Sequence, residues 1–432
     1  MTYEETLDYL YGSVPMFQKT GATAFHEGLH NTLCLDEHFG HPHRKYPCIH
    51  IAGTNGKGSC SHSLASILQE AGYKVGLYTS PHLRDFRERI RVNGVCIDKD
   101  YVTRFVENER AFFEPLRPSF FELTTAMAFN YFAEQQVDVA VVEVGLGGRL
   151  DCPNIITPIL SVITNISIDH TQFLGDTRAK IAREKAGIMK TGIPAVVGET
   201  DEETRPVFEE TASRLNVEVC FAQDAPQVLN ASILRQGGMY YETRDYGMLY
   251  GELGGLYQAK NMNTILHAVA MLNRGGQLRI TPQQMADGLA HVTANTHLEG
   301  RWQRMREQPI VICDTGHNVG GWQYLSHQIR QQAANHKQLR VVFGMVDDKD
   351  IHTVMTMLPK DAVYYFTQAD CQRAIDQDKL MEIAETLHLR GNGYRNVKEA
   401  YRQALADADE NDFIFVGGSS YIVADFLCIG NI

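Results

Sequence analysis

Short apolar runs rich in β-branched residues alternate along this chain with stretches whose apolar residues recur every three or four positions. From Pro47 to about Cys220 the runs PCIHIAG, KVGLYTS, DVAVVEV, PILSVITNI and IPAVVGE read as strands. Between them residues 57–71, 99–116, 120–135 and 176–190 carry the helical period. Strand and helix in alternation predict a mainly parallel sheet of βαβ units, a doubly wound α/β domain. Residues Val228 to Leu253 instead alternate polar and apolar around QGG at 236–238, which predicts a small antiparallel hairpin or meander appended to that domain. Two helices close it, one near 259–273 and one begun by Thr281-Pro282, an N-cap followed by proline at the first helical position. From Pro309 the alternation resumes, with PIVICD, LRVVFGM, AVYYFT and DFIFVGG as strands of a second, smaller doubly wound domain. The expected boundaries are 1–296 and 297–432.

Length agrees with two domains, since 432 residues exceed what one core usually serves. The 44% hydrophobic and 21% charged composition is that of a soluble globular chain. A net charge of −12 argues against a nucleic-acid or acidic-membrane partner, so anionic small molecules must meet local Lys and Arg. The first ten residues carry Glu4, Glu5 and Asp8 without a basic start or apolar core, unlike a signal peptide, and no run reaches the roughly 18 residues of a membrane span. A cytoplasmic location is expected. Nine scattered cysteines, with no CxxC pair, read as reduced thiols rather than a disulfide framework or zinc site.

The candidate chemistry begins at Ile51-Ala52-Gly53-Thr54-Asn55-Gly56-Lys57-Gly58-Ser59, where an apolar strand passes through glycines into a helix. Backbone N–H groups and a lysine then converge where a triphosphate fits. A glycine turn between strand and helix also occurs for purely structural reasons. The run departs from the strict Walker A pattern, because Ile51 replaces the first glycine and Gly58 separates Lys57 from Ser59.

That GTNGKGS form resembles the folylpolyglutamate synthase and dihydrofolate synthase family within the Mur ligase superfamily. Three more segments resemble its signatures: Tyr78 to Leu83 with Glu88-Arg89-Ile90, Glu143 to Asp151 (EVGLGGRLD), and Asp169-His170-Thr171 with Arg183 to Gly187 (REKAG). Each lies at or beyond the C-terminal end of an expected strand, the edge where open α/β sheets bind ligands. The resemblance implies a P-loop ATPase domain and a smaller Rossmann-like C-terminal domain. It also implies ATP bound at Gly53 to Ser59 and Asn261, with Mg²⁺ held by Ser80, Glu143 and His170, a hydroxyl, a carboxylate and an imidazole. Alone, His170 reads as a hydrogen-bonded structural histidine and Glu143 as a turn cap. Lys185 reads alone as a solvated ion-pair lysine; the resemblance makes it a carbamylated lysine that helps hold a second Mg²⁺.

The family's folate pocket maps onto Phe17 to Gly28, the loop with His82 and Arg89, the stretch with Phe120 and Phe121, and Arg149, Leu150 and Asp151. Aromatic rings stack on a flat heterocycle and arginine grips a carboxylate, although Phe120 and Phe121 serve equally as core residues at a helix start. In the second domain, His297 to Trp302 and Asp314-Thr315-Gly316-His317-Asn318 resemble family motifs. They imply that Arg301 and Asp314 reach the nucleotide, that His317 and Asn318 line the nucleotide and glutamate side, and that Ser419 serves the substrate. The acidic run Asp347 to Asp350 reads equally as a helix N-terminus. Gln258 and Asn261 match the family's glutamine and asparagine.

Uphill amide formation requires an activated carboxylate, and ATP with Mg²⁺ makes it an acyl phosphate that the amine of L-glutamate attacks. The expected catalytic residues are Lys57, His170, Lys185 and Arg301. The resemblance implies a monomeric ligase, bifunctional in acting on dihydropteroate and on reduced folates. Rivals are a monofunctional folylpolyglutamate synthase, a peptidoglycan Mur ligase, and a P-loop switch or transport ATPase. The extra glycine, the SPHL segment and the lack of a large N-terminal uridine-nucleotide domain oppose the Mur ligase. The second α/β domain with its own polar loops opposes the switch.

Overall fold

The computed structural model describes residues 1–12, 28–234, 237–347 and 349–430. Most of the expected folate stretch at the N-terminus, Phe17 to Glu27, lies outside the described residues, as do Gln236 and Asp348. The backbone divides into two compact units. One comprises 1–231, 241–251 and 259–297, and the other 232–240, 252–258 and 298–432.

The first unit is built on an eight-stranded sheet: β1 (Cys48–Ala52), β2 (Val75–Tyr78), β3 (Ile90–Val92), β4 (Val95–Cys96), β5 (Val139–Glu143), β6 (Leu160–Ile163), β7 (Ala195–Val197) and β8 (Val219–Phe221). Their order is β4-β3-β2-β5-β1-β6-β7-β8. From β2 to β8 in that row the strands run parallel, and only the pairs β2–β3 and β3–β4 at one edge are antiparallel. Strands β1, β2, β5 and β6 are buried at every residue, as expected for parallel strands covered on both faces. The β3–β4 hairpin turns at Asn93-Gly94, both at positive φ (47° and 77°). That is the Asn-Gly signature of a tight turn.

Helices form where the spacing places them: Lys57–Glu70, Lys99–Leu116 and Phe120–Glu134. Ser119 and Glu122 close a capping box at the start of the last. A one-turn helix, Thr171–Leu174, precedes Arg178–Ala186, the helix expected over 176–190. The second ends at Gly187, where a Cβ would lie 2.4 Å from Arg149 Cβ. Helix Pro282–Ala290 begins with the expected Thr281 cap, completed by Gln284.

Strands β9 (Val228–Ile233), β10 (Met239–Thr243) and β11 (Gly247–Gly251) form a three-stranded sheet in chain order. The three residues between β10 and β11 are too few for a parallel crossover, so that pair is antiparallel.

The second unit carries β12 (Gln303–Glu307), β13 (Ile310–Asp314), β14 (Leu339–Phe343), β15 (Val363–Thr367), β16 (Arg390–Tyr394) and β17 (Phe413–Gly417), in the order β12-β13-β17-β14-β15-β16. All pairs are parallel except β12–β13. Its core packs Trp322, Phe343, Phe366 and Phe415 between sheet and helices.

Candidate active site

Strand β1 delivers the chain into Gly53–Ser59. Gly53 and Gly56 have φ of 146° and 83°. A Cβ on Gly53 would lie 1.8 Å from Thr164 Oγ1, and one on Gly56 2.2 Å from Asn261 Oδ1, so both positions exclude side chains. Asn261, on helix Gln258–Gly275, is thus brought against the loop. Helix Lys57–Glu70 opens from the loop with no side-chain cap at its N-terminus, the arrangement in which backbone N–H groups receive an anion.

The loop is tied to the end of β6. Thr54 N donates to Asn165 O (2.9 Å) and Asn55 N to Asn165 Oδ1 (3.0 Å). Thr54 Oγ1 donates to Ser167 O (3.1 Å) and accepts from Ser167 N (3.0 Å). These anchors, Thr164, Asn165 and Ser167, were not singled out in the sequence. Their signal is the polar Thr-Asn near the end of the apolar PILSVITNI run.

Two lysines meet at one carbonyl. Lys57 Nζ donates to Gly53 O (3.0 Å) and Thr54 O (3.1 Å), and Lys185 Nζ donates to Gly53 O (2.9 Å). Lys185 is only 4% exposed. Burial, aided by the Lys57 charge and opposed by Asp169, Asp151 and Glu184, pushes its ammonium down to about 7. It is therefore a desolvated amine beside the phosphate loop, not a solvated lysine.

The three expected metal ligands stand at the ends of β2, β5 and β6, which with β1 are four neighbours in the sheet. Glu143, 3% exposed, accepts from Ser80 N through Oε2 (3.2 Å). His170 sits at φ 49°, a left-handed conformation costly for a residue with a Cβ, and its N–H donates to Asp169 Oδ1 (2.9 Å). Such strain concentrates at functional positions. Among the described residues no three His, Cys, Asp or Glu side chains gather into a cation cage. A hydroxyl, a carboxylate and an imidazole suit an ion that takes few protein ligands and completes its shell with water and phosphate oxygens.

The loop after β2 is internally fixed. Glu88 accepts from the N–H groups of Leu83, Arg84 and Asp85 at 2.8 to 3.0 Å. Arg89 Nε donates to His82 Nδ1 (2.8 Å), and its guanidinium lies 5.3 Å from the Phe120 ring centroid. Burial, with Arg89 adding to it, pushes His82 down to about 3, so it is a neutral acceptor toward Arg89. Phe120 is core, 3% exposed. The Phe121 ring lies under Gly145, where a Cβ would meet it at 2.4 Å.

Asp151 closes the loop after β5 on itself by accepting from Gly145 N (2.7 Å) and Leu146 N (3.3 Å). Burial pushes its carboxyl up to about 7, against those N–H groups and the charges of Lys185 and Lys57. Arg149 is exposed and pairs with Glu184 (3.0 Å), beside the half-buried Leu150. Asn154 Nδ2 bridges Arg149 O (2.9 Å) and Gly187 O (3.0 Å), fastening this loop to the end of the helix that bears Lys185.

In the second unit, Asp314 ends β13 and is 2% exposed. It accepts from Tyr257 Oη (2.6 Å), Trp302 N (2.8 Å) and Gly316 N (2.8 Å). Arg301 donates to Gly300 O and to Thr315 Oγ1. His317 Nδ1 lies 3.1 Å from Thr315 O. Asn318 and Ser419 cap helices Val319–Ala333 and Ser420–Cys428, accepting from Gly321 N (2.9 Å) and Ile422 N (3.2 Å). Tyr257 was not singled out in the sequence, although it adjoins the Gln258–Asn261 motif.

The family model for the Mur ligase middle domain matches residues 51–262, and that for the Mur ligase glutamate ligase domain matches 300–420. The dihydrofolate synthase/folylpolyglutamate synthase of Bacillus subtilis (strain 168) is 32% identical over 434 residues, 98% of this chain and 98% of that protein. The folylpolyglutamate synthase of Lacticaseibacillus casei is 32% identical over 441 residues, 98% of this chain and 97% of that one. The solved structure of a bifunctional folylpolyglutamate synthase/dihydrofolate synthase from Yersinia pestis, complexed with AMPPNP and Mn ion, matches with a TM-score of 0.81 at 30% identity, over 99% of this chain and 98% of that one. In the described residues no helix is long and apolar enough to cross a membrane. With the phosphate loop, the strained histidine and the desolvated lysine in one unit and a second α/β unit in the same chain, this protein belongs to the dihydrofolate synthase/folylpolyglutamate synthase family of Mur-type ATP-dependent ligases.

Proposed function

We propose that this chain is a bifunctional ligase that adds L-glutamate to dihydropteroate and to the γ-carboxyl of reduced folates, acting as a cytoplasmic monomer. Four family segments stand at the C-terminal ends of adjacent strands β2, β5, β1 and β6, and that observation carries the reading. In this reading the γ-phosphoryl group of ATP passes to the acceptor carboxylate, giving an acyl phosphate and ADP. The glutamate amine attacks the acyl carbon, the C–O bond to phosphate breaks, and the amine proton leaves to solvent.

Gly53 to Ser59 cradle the phosphates with backbone N–H groups, and Lys57 leaves its carbonyl partners to neutralise charge on the transferring group. Arg301 contributes a second cation, Asn261 fixes the nucleotide against the loop, and Asp314 and His317 contact the nucleotide. His82, Arg89, Phe121, Arg149, Leu150 and Asp151 hold the pterin and its carboxylate, while His317 and Ser419 serve the glutamate side. Ser80, Glu143 and His170 would hold Mg²⁺, which screens the phosphate oxygens when bound.

Lys185 is suited to carbamylation, because a lysine pushed down to about 7 supplies neutral amine at neutral pH. Addition of that amine to CO₂ gives a carbamate and releases a proton. The resulting anion would support a second Mg²⁺.

The deciding experiment measures phosphate release from ATP with Mg²⁺ and L-glutamate, using dihydropteroate, tetrahydrofolate or no acceptor, with products weighed by mass spectrometry. Gain of one glutamate by each acceptor is the expected result. Response to tetrahydrofolate alone gives the monofunctional enzyme, a reading the equally similar Lacticaseibacillus casei protein favours. Turnover with neither acceptor, or hydrolysis indifferent to acceptor, overturns both.

A further inference from the structure

We propose that Tyr257 is a positioning residue for nucleotide recognition, holding the Asp314 carboxylate in one orientation through a hydrogen bond to Oδ2. This rests on the reading above that Asp314 contacts the nucleotide. Each carboxylate oxygen offers about two acceptor positions. Oδ2 spends both, on Tyr257 Oη at 2.6 Å and Trp302 N at 2.8 Å. Oδ1 accepts from Gly316 N at 2.8 Å and keeps one position for a ligand donor. Tyr257 and Trp302 therefore decide which oxygen is left to bind.

The tyrosine is itself held tightly. Its ring packs on the core of the second unit. Gly255, at φ 113°, passes so close that a Cβ there would lie 2.8 Å from the ring. Leu256 N donates to Gln328 Oε1 (2.8 Å), pinning the residue before it. A phenol donating to an ionised carboxylate forms a charge-assisted bond, stronger than a neutral one. That bond also favours the charged form. Burial pushes the Asp314 carboxyl up, and Tyr257, Arg301 and the Gly316 and Trp302 N–H groups oppose it, while the neighbouring Cys313 thiol is held protonated by burial. Loss of the hydroxyl removes the first of those opposing contributions and opens a position on Oδ2, leaving the carboxylate held by the Trp302 and Gly316 N–H groups alone. The placement in sequence is economical too: Tyr257 directly precedes helix Gln258–Gly275, whose Asn261 closes on Gly56.

The test compares Tyr257→Phe, Asp314→Asn and the double variant in the full-length protein, measuring KM for ATP, kcat, and the pH profile of kcat/KM for ATP. Tyr257→Phe is expected to raise KM for ATP by about tenfold, the worth of one bond to a charged group, with kcat within about twofold. Its acidic limb should move to higher pH, because the carboxyl becomes easier to protonate. The double variant should be no worse than Asp314→Asn, as for two residues acting through one contact. Calorimetric titration with ADP, well below the unfolding transition, reads the same loss independently of turnover. A raised KM in Asp314→Asn with an unchanged KM and limb in Tyr257→Phe overturns the positioning role alone. Unchanged ADP binding in Asp314→Asn overturns the nucleotide reading of Asp314, and this proposal with it. A Tyr257→Phe protein that is only less stable, with wild-type ADP affinity, marks the tyrosine as structural and also overturns it.

Discussion

At the C-terminal edge of the first sheet, polar side chains sit in costly states: two lysines share the Gly53 carbonyl, Lys185 is desolvated, and His170 holds a left-handed backbone. At the corresponding edge of the second sheet, similar residue types are at rest. Asn318 and Ser419 cap helices. Residues in costly states are those a ligand can relieve; residues already satisfied mainly hold a surface in shape. Substitutions in the first unit should therefore separate activity from stability, whereas those at the two helix caps of the second should lower stability first.

The largest expected effect belongs to Lys57→Ala. Removing a cation from the transferring phosphoryl group should lower kcat by about 10³-fold, measured as acceptor-dependent phosphate release, with the denaturation midpoint almost unmoved. Equal loss of activity and stability would place Lys57 among the satisfied residues and break the contrast.

Lys185→Met comes next, with about a 10²-fold loss of kcat and, unlike most core substitutions, a gain in stability. The sign follows from linkage. The unfolded lysine titrates near its ordinary value of about 10.4, whereas burial pushes the folded one down to about 7. The native state thus resists protonation. Its penalty is full below pH 7, declines between the two values and vanishes above the upper one. Each tenfold weakening of proton binding corresponds to about 1.4 kcal/mol. In CO₂-depleted buffer, where Lys185 carries no carbamate, urea denaturation should therefore show Lys185→Met stabilised by roughly a few kcal/mol at pH 6 and indistinguishable from wild type near pH 10.5. Depleting CO₂ should lower wild-type activity, and bicarbonate should restore it, if the amine is carbamylated.

Both lysines were legible in the sequence, but for different reasons. Lys57 follows from local form, a strand running through glycines into a helix. Nothing local distinguishes Lys185 from a solvated lysine, because its burial depends on the loop after β5 lying against its helix, a contact made by Gly148, Gly187 and Asn154. The central strands were equally plain, being apolar at nearly every position. The strands missed by pattern were edges or their neighbours: β3 and β4, whose Asn-Gly turn went unread, β8, and the polar β12 (QRMRE) and β16 (RGNGY). Strands β12 and β16 are polar, as edge strands with one side to solvent often are, and β3, β4 and β8 have only two or three residues, too few to show a pattern. Tyr257 escaped for a similar reason, since a hydrogen bond to a residue 57 positions away leaves no periodic trace.

In the second unit the contrast is sharpened by Asn318→Ala and Ser419→Ala. Each removes a cap from a helix longer than two turns and should cost about 1 kcal/mol, read as a lower denaturant midpoint. Activity at a temperature where both variants are folded should fall less than twofold for Asn318→Ala. A larger fall in KM-controlled rate for Ser419→Ala at low glutamate would show that its hydroxyl leaves the cap to meet the substrate.

The smallest effect on stability is expected at Arg149. Its ion pair with Glu184 joins a side chain that is 55% exposed to one that is 22% exposed, and such pairs contribute little because water and salt screen them. Arg149→Ala should shift the denaturation free energy by no more than about 0.5 kcal/mol. The backbone already makes the same connection, through Arg149 N to Glu184 O at 2.8 Å and the Asn154 bridge, so the helix bearing Lys185 keeps its place without the side chain. If Arg149 instead grips the folate carboxylate, the variant should raise KM for tetrahydrofolate severalfold and leave KM for ATP unchanged. A stability loss above about 1 kcal/mol with both KM values unaltered would make it a staple between loop and helix, and would move one residue of the first unit to the resting side of the comparison.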